Sequence, residues 1–274
     1  MAAADGRLHE TRRPLLTSYR RGPTPQPLTT VLLHPSGGSL GQYLGLVAHL
    51  TRHRGTVHGV RAAGLDAGEL PDDSVDAMAD RYLRLLRSLS APPDLLIGWS
   101  LGGVLAWELA CRLAREGREP SVVMVDSFAE PWSACHTARD ELLARILHRS
   151  PAPEDAGDPE AGERAARTAA AHLTASAVHH ATPGYPGSTL LLACQGEERS
   201  HQIACWRRRA PRLTVHDLDC GHFEVFQPAH FPRVLHHLDA FLDAFLGAPP
   251  DAAPPDATRG HAVPAEPAEP APRS

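Results

Sequence analysis

Asp94-Leu-Leu-Ile-Gly-Trp-Ser-Leu-Gly-Gly103 is the stretch of sequence that decides the fold. Its apolar run predicts a short buried strand, and the apolar residues after Gly103 recur at helical spacing. Ser100 lies between the two elements, with Gly98 and Gly102 on either side. A sharp turn of this kind exposes the serine hydroxyl, and it needs glycine where a side chain would collide with strand or helix. We therefore predict that Ser100 is a nucleophile.

The Gly-x-Ser-x-Gly pattern also occurs a second time, as Gly37-Gly-Ser-Leu-Gly41. Ser39 lies several residues after its predicted strand, whereas Ser100 lies where a strand meets a helix. We interpret Ser39 as a loop or helix-capping serine. The helix after Ser100 directs its N-terminal N–H groups at negative charge that develops beside the hydroxyl.

A second loop has the composition of an anion-binding turn. Residues 29–33 are apolar and β-branched, which predicts a buried strand, and His34-Pro-Ser-Gly-Gly38 follows it. Two glycines after a proline let the backbone approach a ligand closely. We predict that the backbone N–H groups of Ser36 and Leu101 form an oxyanion hole. An ordinary tight loop is the alternative.

Composition places the chain among globular proteins with one large core. Of its 274 residues, 42% are hydrophobic and 22% charged, and the net charge of −5 argues against a nucleic-acid partner. All 27 basic residues are arginine, which excludes lysine Schiff bases and P-loop lysines. Five cysteines without a CxxC pattern predict a reduced compartment. With neither a signal peptide nor a membrane-spanning run, we expect a cytoplasmic enzyme without a membrane partner.

The order of strands and helices predicts one α/β domain over residues 15–247, with a mostly parallel sheet and its sites at the strand carboxyl ends. Residues 1–14 are expected to form a flexible arm, and the Ala- and Pro-rich residues 248–274 a disordered tail. Residues 128–187 predict a helical insertion, interpreted as a mobile lid. Within it, Thr137 heads a capping-box pattern, and residues 163–182 predict a helix.

Three reactive side chains fall at predicted strand ends, namely Ser100, Asp126 and His222. Their order along the chain, serine then acid then histidine, is that of α/β-hydrolases, so we predict that fold with a helical lid insertion. His222 would accept the proton of Ser100, and Asp126 would orient the imidazole and stabilise its cation. Glu197 or Glu198, just after a later strand, is the alternative acid. Asp126 is favoured because it ends a cleaner strand immediately before the insertion.

Other histidines, cysteines and arginines are given structural interpretations. The pairs His179-His180 and His236-His237 lack partners at i,i+4 spacing, so no metal site is predicted. Cys220 is interpreted as a small buried residue. The run Trp206-Arg-Arg-Arg209 predicts a solvated helix face, with a docking patch for an acidic partner as the sharper alternative.

Four motifs together resemble the thioesterase domains that end nonribosomal peptide and polyketide synthetases: His34-Pro-Ser-Gly-Gly38, Gly98-Trp-Ser-Leu-Gly-Gly103, Met124-Val-Asp-Ser127 and Cys220-Gly-His-Phe223. The resemblance covers about residues 15–247 and implies an acid at Asp126. The stand-alone editing ("type II") thioesterases usually carry His in place of Trp99 and an acid after the later strand, which would point to Glu198. The chain departs from them at both positions.

The resemblance also implies a reaction. Ser100 would attack the thioester that joins an acyl or peptidyl chain to the phosphopantetheine arm of a carrier protein. Water would then release an acid, or an internal amine or hydroxyl would close a ring. The expected partner is an acyl or peptidyl carrier protein, with residues 207–209 as its docking site, and no resident cofactor is expected. A stand-alone editing thioesterase, a general carboxylester hydrolase and a non-catalytic scaffold are the alternatives, and a free-standing enzyme and an excised domain both stay open.

Overall fold

The computed structural model describes residues 13–20, 27–131, 139–149, 158 and 160–247. These residues form seven strands, which are β1 (Leu16–Tyr19), β2 (Leu28–Leu33), β3 (Gly55–Val60), β4 (Leu95–Trp99), β5 (Ser121–Val125), β6 (Thr189–Ala193) and β7 (Leu213–Asp217). The same residues form seven α-helices, which are α1 (Leu44–His53), α2 (Val75–Arg87), α3 (Leu101–Ala114), α4 (Arg139–Arg149), α5 (Ala161–Ser176), α6 (Arg199–Arg207) and α7 (Phe231–Gly247).

All seven described strands join one sheet in the order β1-β3-β2-β4-β5-β6-β7. β1 runs antiparallel to β3, and every other neighbouring pair is parallel. Parallel neighbours need long crossover connections, which the helices supply. The carboxyl ends of β2 to β7 therefore lie along one edge of the sheet. The predicted mostly parallel α/β architecture is confirmed, with β1 as an antiparallel strand at one edge of the sheet.

The core consists of two apolar layers, one on each face of the sheet. Successive side chains of a strand point to opposite faces, and Leu32 packs in one layer while Val31 and Leu33 pack in the other. The Leu32 layer includes residues of α1, α4 and α7, and the second layer includes residues of α2, α3 and α6. Both faces are covered, which explains why the central strands read as continuous apolar runs.

The segment between β5 and β6 contains α4 and α5, as the predicted helical insertion requires. α5 ends at Ser176, although the sequence pattern predicts a helix to residue 182. The backbone N–H of Thr182 donates to the side chain of Glu108, and that of Ala181 donates to Ala129, so neither continues the helical ladder. Within the described residues, no helix is long and apolar enough to cross a membrane.

Three further predictions fall on parts of the chain outside the described residues. They are the flexible arm, of which residues 1–12 are not described, the capping box at Thr137, and the tail at residues 248–274.

Candidate active site

Ser100 occupies a strained turn between β4 and α3. Its backbone has φ 58° and ψ −125°, a positive φ that residues other than glycine rarely adopt. The N–H of Ser100 donates to the carbonyl of Val125 at 2.9 Å, which fixes this conformation against β5. Backbone strain of this kind costs about 1–3 kcal/mol, and it persists only where the surroundings enforce it.

The flanking glycines are required by close packing. A Cβ atom on Gly98 would overlap the backbone of Gly102, and one on Gly102 would overlap the carbonyl oxygen of Leu33. These overlaps involve backbone atoms, which cannot rotate away as a side chain can. The serine turn is thus pressed between α3 and the neighbouring strand, as the sequence pattern predicts.

Asp126 and His222 are in direct contact. Oδ2 of Asp126 lies 2.7 Å from Nδ1 of His222, and Oδ1 accepts hydrogen bonds from the Cys194 N–H and from Nε2 of Gln202, both at 3.1 Å. Burial tends to raise the pKa of Asp126, but the hydrogen bond and charge of His222 outweigh it and hold the pKa below its ordinary value. An ionised Asp126 is therefore available to fix the imidazole with its proton on Nδ1.

Ser100 and His222 line the same cleft, which encloses about 490 Å³ of space open to solvent. The indole ring of Trp99 packs against the His222 imidazole, with ring centroids 5.1 Å apart and a tilt of 35°. The structure therefore brings the predicted base and acid together and places the predicted nucleophile on the same cleft. Glu197, one of the alternative acids, is exposed on the turn before α6.

Five apolar side chains line the cleft: Val75, Leu101, Val104, Phe128 and Leu173. Polar side chains of Ser176, Glu130 and His179 also line it. Leu173 and Ser176 come from α5, so the inserted segment forms one wall of the cleft. A cleft of this composition can hold a mainly apolar chain against a few fixed polar groups.

Both predicted oxyanion residues lie at the cleft. Ser36 lines it from the turn after β2, where the Gly38 N–H donates to the Pro35 carbonyl at 2.9 Å. Leu101 is the first residue of α3, so its N–H has no acceptor within the helix. The positions suit two backbone donors beside Ser100, and their role in binding an oxyanion stays a prediction. Ser39, by contrast, accepts a hydrogen bond from the Gly41 N–H, which fits its interpretation as a loop serine.

Sequence reasoning missed a pair of buried histidines beneath this turn. His34 contacts the Pro35 carbonyl through Nδ1 at 2.9 Å and the Tyr82 hydroxyl through Nε2 at 2.6 Å. Its ring stacks on that of His172 in α5, at 5.0 Å between centroids, and Nδ1 of His172 accepts from the Gly37 N–H at 3.3 Å. Burial lowers the pKa of His34 to about 4 and that of His172 well below its ordinary value. Both rings are neutral at pH 7 and fasten the turn to α5.

Glu130, His201 and Cys205 present three donor atoms within 4.8 Å of one another. The Arg208 guanidinium already lies 3.3 Å from Glu130 and 3.1 Å from the Cys205 sulfur, and Arg209 lies 3.4 Å from Glu130. Two cations beside one carboxylate satisfy its charge, so these residues fit an ion-pair cluster better than a cation site.

The arginines at the carboxyl end of α6, residues 207–209, differ in their exposure to solvent and in their contacts. Arg207 and Arg208 are exposed, as a solvated helix face requires. Arg209 donates to the carbonyl of Ala181 at 3.1 Å and to that of Cys205 at 3.0 Å. A docking patch is therefore limited to the first two arginines.

Comparison with known proteins identifies a family for this chain and a much longer relative. The family model described as thioesterase domain matches residues 29–242. Malpibaldin synthetase of Mortierella alpina is 34% identical over 131 residues, which are 47% of this chain and 2% of that protein. The chain thus spans a small part of that much longer relative.

Solved structures share the architecture. The Vlm2 thioesterase domain bound with a dodecadepsipeptide matches with a TM-score of 0.67 and 21% identity, over 82% of this chain and 97% of that chain. YbtT, a type II thioesterase from the yersiniabactin NRPS/PKS biosynthetic pathway, matches with a TM-score of 0.64 and 19% identity, over 83% of this chain and 99% of that chain. These matches confirm the predicted α/β-hydrolase fold.

Proposed function

The chain belongs to the thioesterase domain family, and from this premise we propose that it releases an acyl or peptidyl chain from the phosphopantetheine thioester of a carrier protein. The observation that carries the proposal is the 2.7 Å contact between Asp126 and His222 on the cleft that Ser100 lines. A serine, an imidazole and a buried carboxylate at one site are the groups that acyl transfer through a serine ester needs.

The proposed reaction has two halves. The Ser100 oxygen attacks the thioester carbonyl while His222 accepts its proton, and the oxyanion is stabilised by the N–H groups of Ser36 and Leu101. The carbon–sulfur bond breaks, the thiol leaves with the proton from His222, and a serine ester remains. Water, or an amine or hydroxyl of the same chain, then attacks that ester and gives its proton to His222. The bond between the acyl carbon and the Ser100 oxygen breaks, His222 returns the proton to that oxygen, and the product is a free acid or a ring.

The reactions of a thioester and of its oxygen ester test this function. We expect wild-type enzyme to hydrolyse acyl-pantetheine thioesters with higher kcat/KM than the matched oxygen esters, and to form an acyl adduct seen by intact-protein mass spectrometry. Ser100→Ala abolishes both, while Ser39→Ala, at the second copy of the pattern, retains both. A strong preference for oxygen esters identifies a carboxylester hydrolase instead. A wild-type protein that no acyl donor or serine-directed fluorophosphonate labels is a scaffold.

The carrier partner is tested separately. The single substitution Arg207→Glu reverses exposed charge without touching Arg208 and Arg209, which both contact Glu130 on the cleft wall. We expect slower turnover of carrier-bound acyl chains and unchanged turnover of the same acyl group on free pantetheine. Equal turnover of the carrier-bound substrate by wild type and variant would remove this patch as a docking site.

A further inference from the structure

His179 forms a second carboxylate–imidazole pair on the same cleft. Its side chain lines the cleft together with Ser100 and His222, and its Nε2 lies 3.2 Å from Oε1 of Glu108. Glu108 lies on α3, the helix that begins directly after Ser100. The cleft is thus bordered by two imidazoles, each held by its own carboxylate, and the proposed reaction uses only one of them.

Glu108 is ionised in the folded protein and fully buried. Burial tends to raise the pKa of this carboxyl, but hydrogen bonds from His179 and from the N–H and hydroxyl of Thr182 outweigh burial and lower the pKa to about 2. Arg112 adds an ion pair at 2.9 Å. An ionised carboxylate only accepts hydrogen bonds, so Nε2 of His179 carries the proton that it donates to Glu108. In the neutral imidazole, Nδ1 is then left as an acceptor.

The backbone that follows His179 is fixed by hydrogen bonds. The N–H and hydroxyl of Thr182 donate to Glu108 at 2.7 and 2.8 Å, and the Thr182 carbonyl accepts from Nε1 of Trp107 at 2.8 Å. The Ala181 N–H donates to the Ala129 carbonyl at 2.8 Å. The contact of Nε2 with Glu108 and this fixed backbone together hold the imidazole in one orientation at the cleft, as recognition of a substrate requires.

We propose that His179 is a substrate-binding residue whose Nδ1 accepts a hydrogen bond from an N–H or O–H group of the bound acyl chain. The cleft then takes aminoacyl, peptidyl or hydroxyacyl chains in preference to plain alkanoyl chains, and its apolar wall holds the rest of the chain. This inference rests on the proposed thioesterase function and names its substrate class. A chain without a donor leaves the imidazole unpaired inside the cleft, and such sites reject the analogue that lacks the group.

The test compares two pantetheine thioesters of equal chain length, one alkanoyl and one with an amide N–H or a hydroxyl near the carbonyl. We expect wild-type enzyme to favour the donor-bearing chain by about 10- to 100-fold in kcat/KM. His179→Phe lowers kcat/KM for the donor-bearing chain about 10- to 100-fold more than kcat/KM for the alkanoyl chain, so the preference disappears. His180→Phe, at the exposed neighbouring histidine, retains the preference.

A second variant separates binding from a structural effect. In Glu108→Gln, an amide nitrogen that faces His179 donates to the imidazole and changes its tautomer, while the amide oxygen still accepts from the Thr182 hydroxyl and from Arg112. The Thr182 N–H loses its acceptor in this variant. We expect kcat/KM for the donor-bearing chain to fall more than kcat/KM for the alkanoyl chain, so that the preference shrinks. Equal losses for both thioesters in His179→Phe, or a wild-type enzyme without any preference, would overturn the inference. Those outcomes differ from a failure of the proposed function, in which neither thioester acylates Ser100.

Discussion

Nδ1 of His222 and Oδ2 of Asp126 meet at 2.7 Å across the end of β6, which lies between β5 and β7 in the sheet. The other oxygen of Asp126 accepts from the N–H of Cys194, the residue just after β6. The ends of β5 and β6 and the turn that follows β7 are thereby joined through one carboxylate. Its orientation is set by the sheet itself rather than by a flexible loop, which is the arrangement that a positioned acid needs.

Replacement of Asp126 by asparagine tests the role of this carboxylate. We expect Asp126→Asn to lower kcat/KM for an acyl-pantetheine thioester by about 10⁴-fold, because the amide holds the imidazole in the wrong tautomer and does not stabilise its cation. The measurement is steady-state hydrolysis, with circular dichroism to compare the folded states. The matched control is Glu198→Gln at the alternative acid, which should change kcat/KM little. The reverse ranking would assign the acid to Glu198.

Gly98, two residues before Ser100, should not tolerate replacement by alanine. Gly98→Ala places its Cβ against the backbone of Gly102, so we expect the free energy of unfolding to fall by about 3 kcal/mol. Gly162→Ala is the control, because a Cβ there meets nothing within 4 Å and the residue lies in α5. It should raise stability by about 0.5–1 kcal/mol. Urea unfolding measures both, and equal stabilities would contradict the packing described for the turn.

The hydroxyl of Tyr43 bridges two strands beneath the cleft. It donates to the Leu33 carbonyl at 2.9 Å and accepts from the Trp99 N–H at 2.8 Å, and the ring is fully buried. Tyr43→Phe removes both of these buried hydrogen bonds, so we expect the free energy of unfolding to fall by about 1–2 kcal/mol. Urea unfolding at pH 7 measures the loss. A variant as stable as wild type would mean that water replaces the hydroxyl.

The stability of the protein should depend on pH through Glu108. Its pKa is about 2 in the folded protein, against 4.5 as its ordinary value. A lowered carboxyl pKa stabilises the fold above the unfolded value, and this contribution is lost as the pH falls from about 4.5 towards 2. The shift corresponds to about 3 kcal/mol. Urea unfolding over this range should show a shallower pH dependence in Glu108→Gln than in wild type, and an unchanged one in the exposed control Glu163→Gln.

Local patterns predicted the turn and its neighbours well. The strand before Ser100 and the helix after it directly adjoin this residue, so one short stretch of sequence predicts both elements and their order. The end of β5 at Val125 placed Asp126 at the sheet edge in the same way. Since parallel strands end at one edge, the contact of Asp126 with His222 also followed from the order of elements. The catalytic roles of these residues stay predictions.

Contacts between distant segments could not be read from local patterns. The hydrogen bond from Gly37 to His172 joins residues 135 positions apart, and that from Thr182 to Glu108 joins residues 74 apart. A histidine in an Ala-rich helix and a glutamate on α3 look like surface residues in the sequence. The helix predicted to residue 182 was too long for the same reason, because a tertiary acceptor at Glu108 takes the Thr182 N–H.

The separation of 96 positions between Asp126 and His222 also has a consequence during synthesis on the ribosome. At translation speeds of about 5–20 residues per second, the imidazole emerges about 5 to 20 seconds after the acid. During that interval the nascent chain carries its serine without a base, so in the proposed mechanism it is inert towards the thioesters of the cell. Reactivity switches on only when the final strand has been added, and by then α5 has already been made and can wall the cleft.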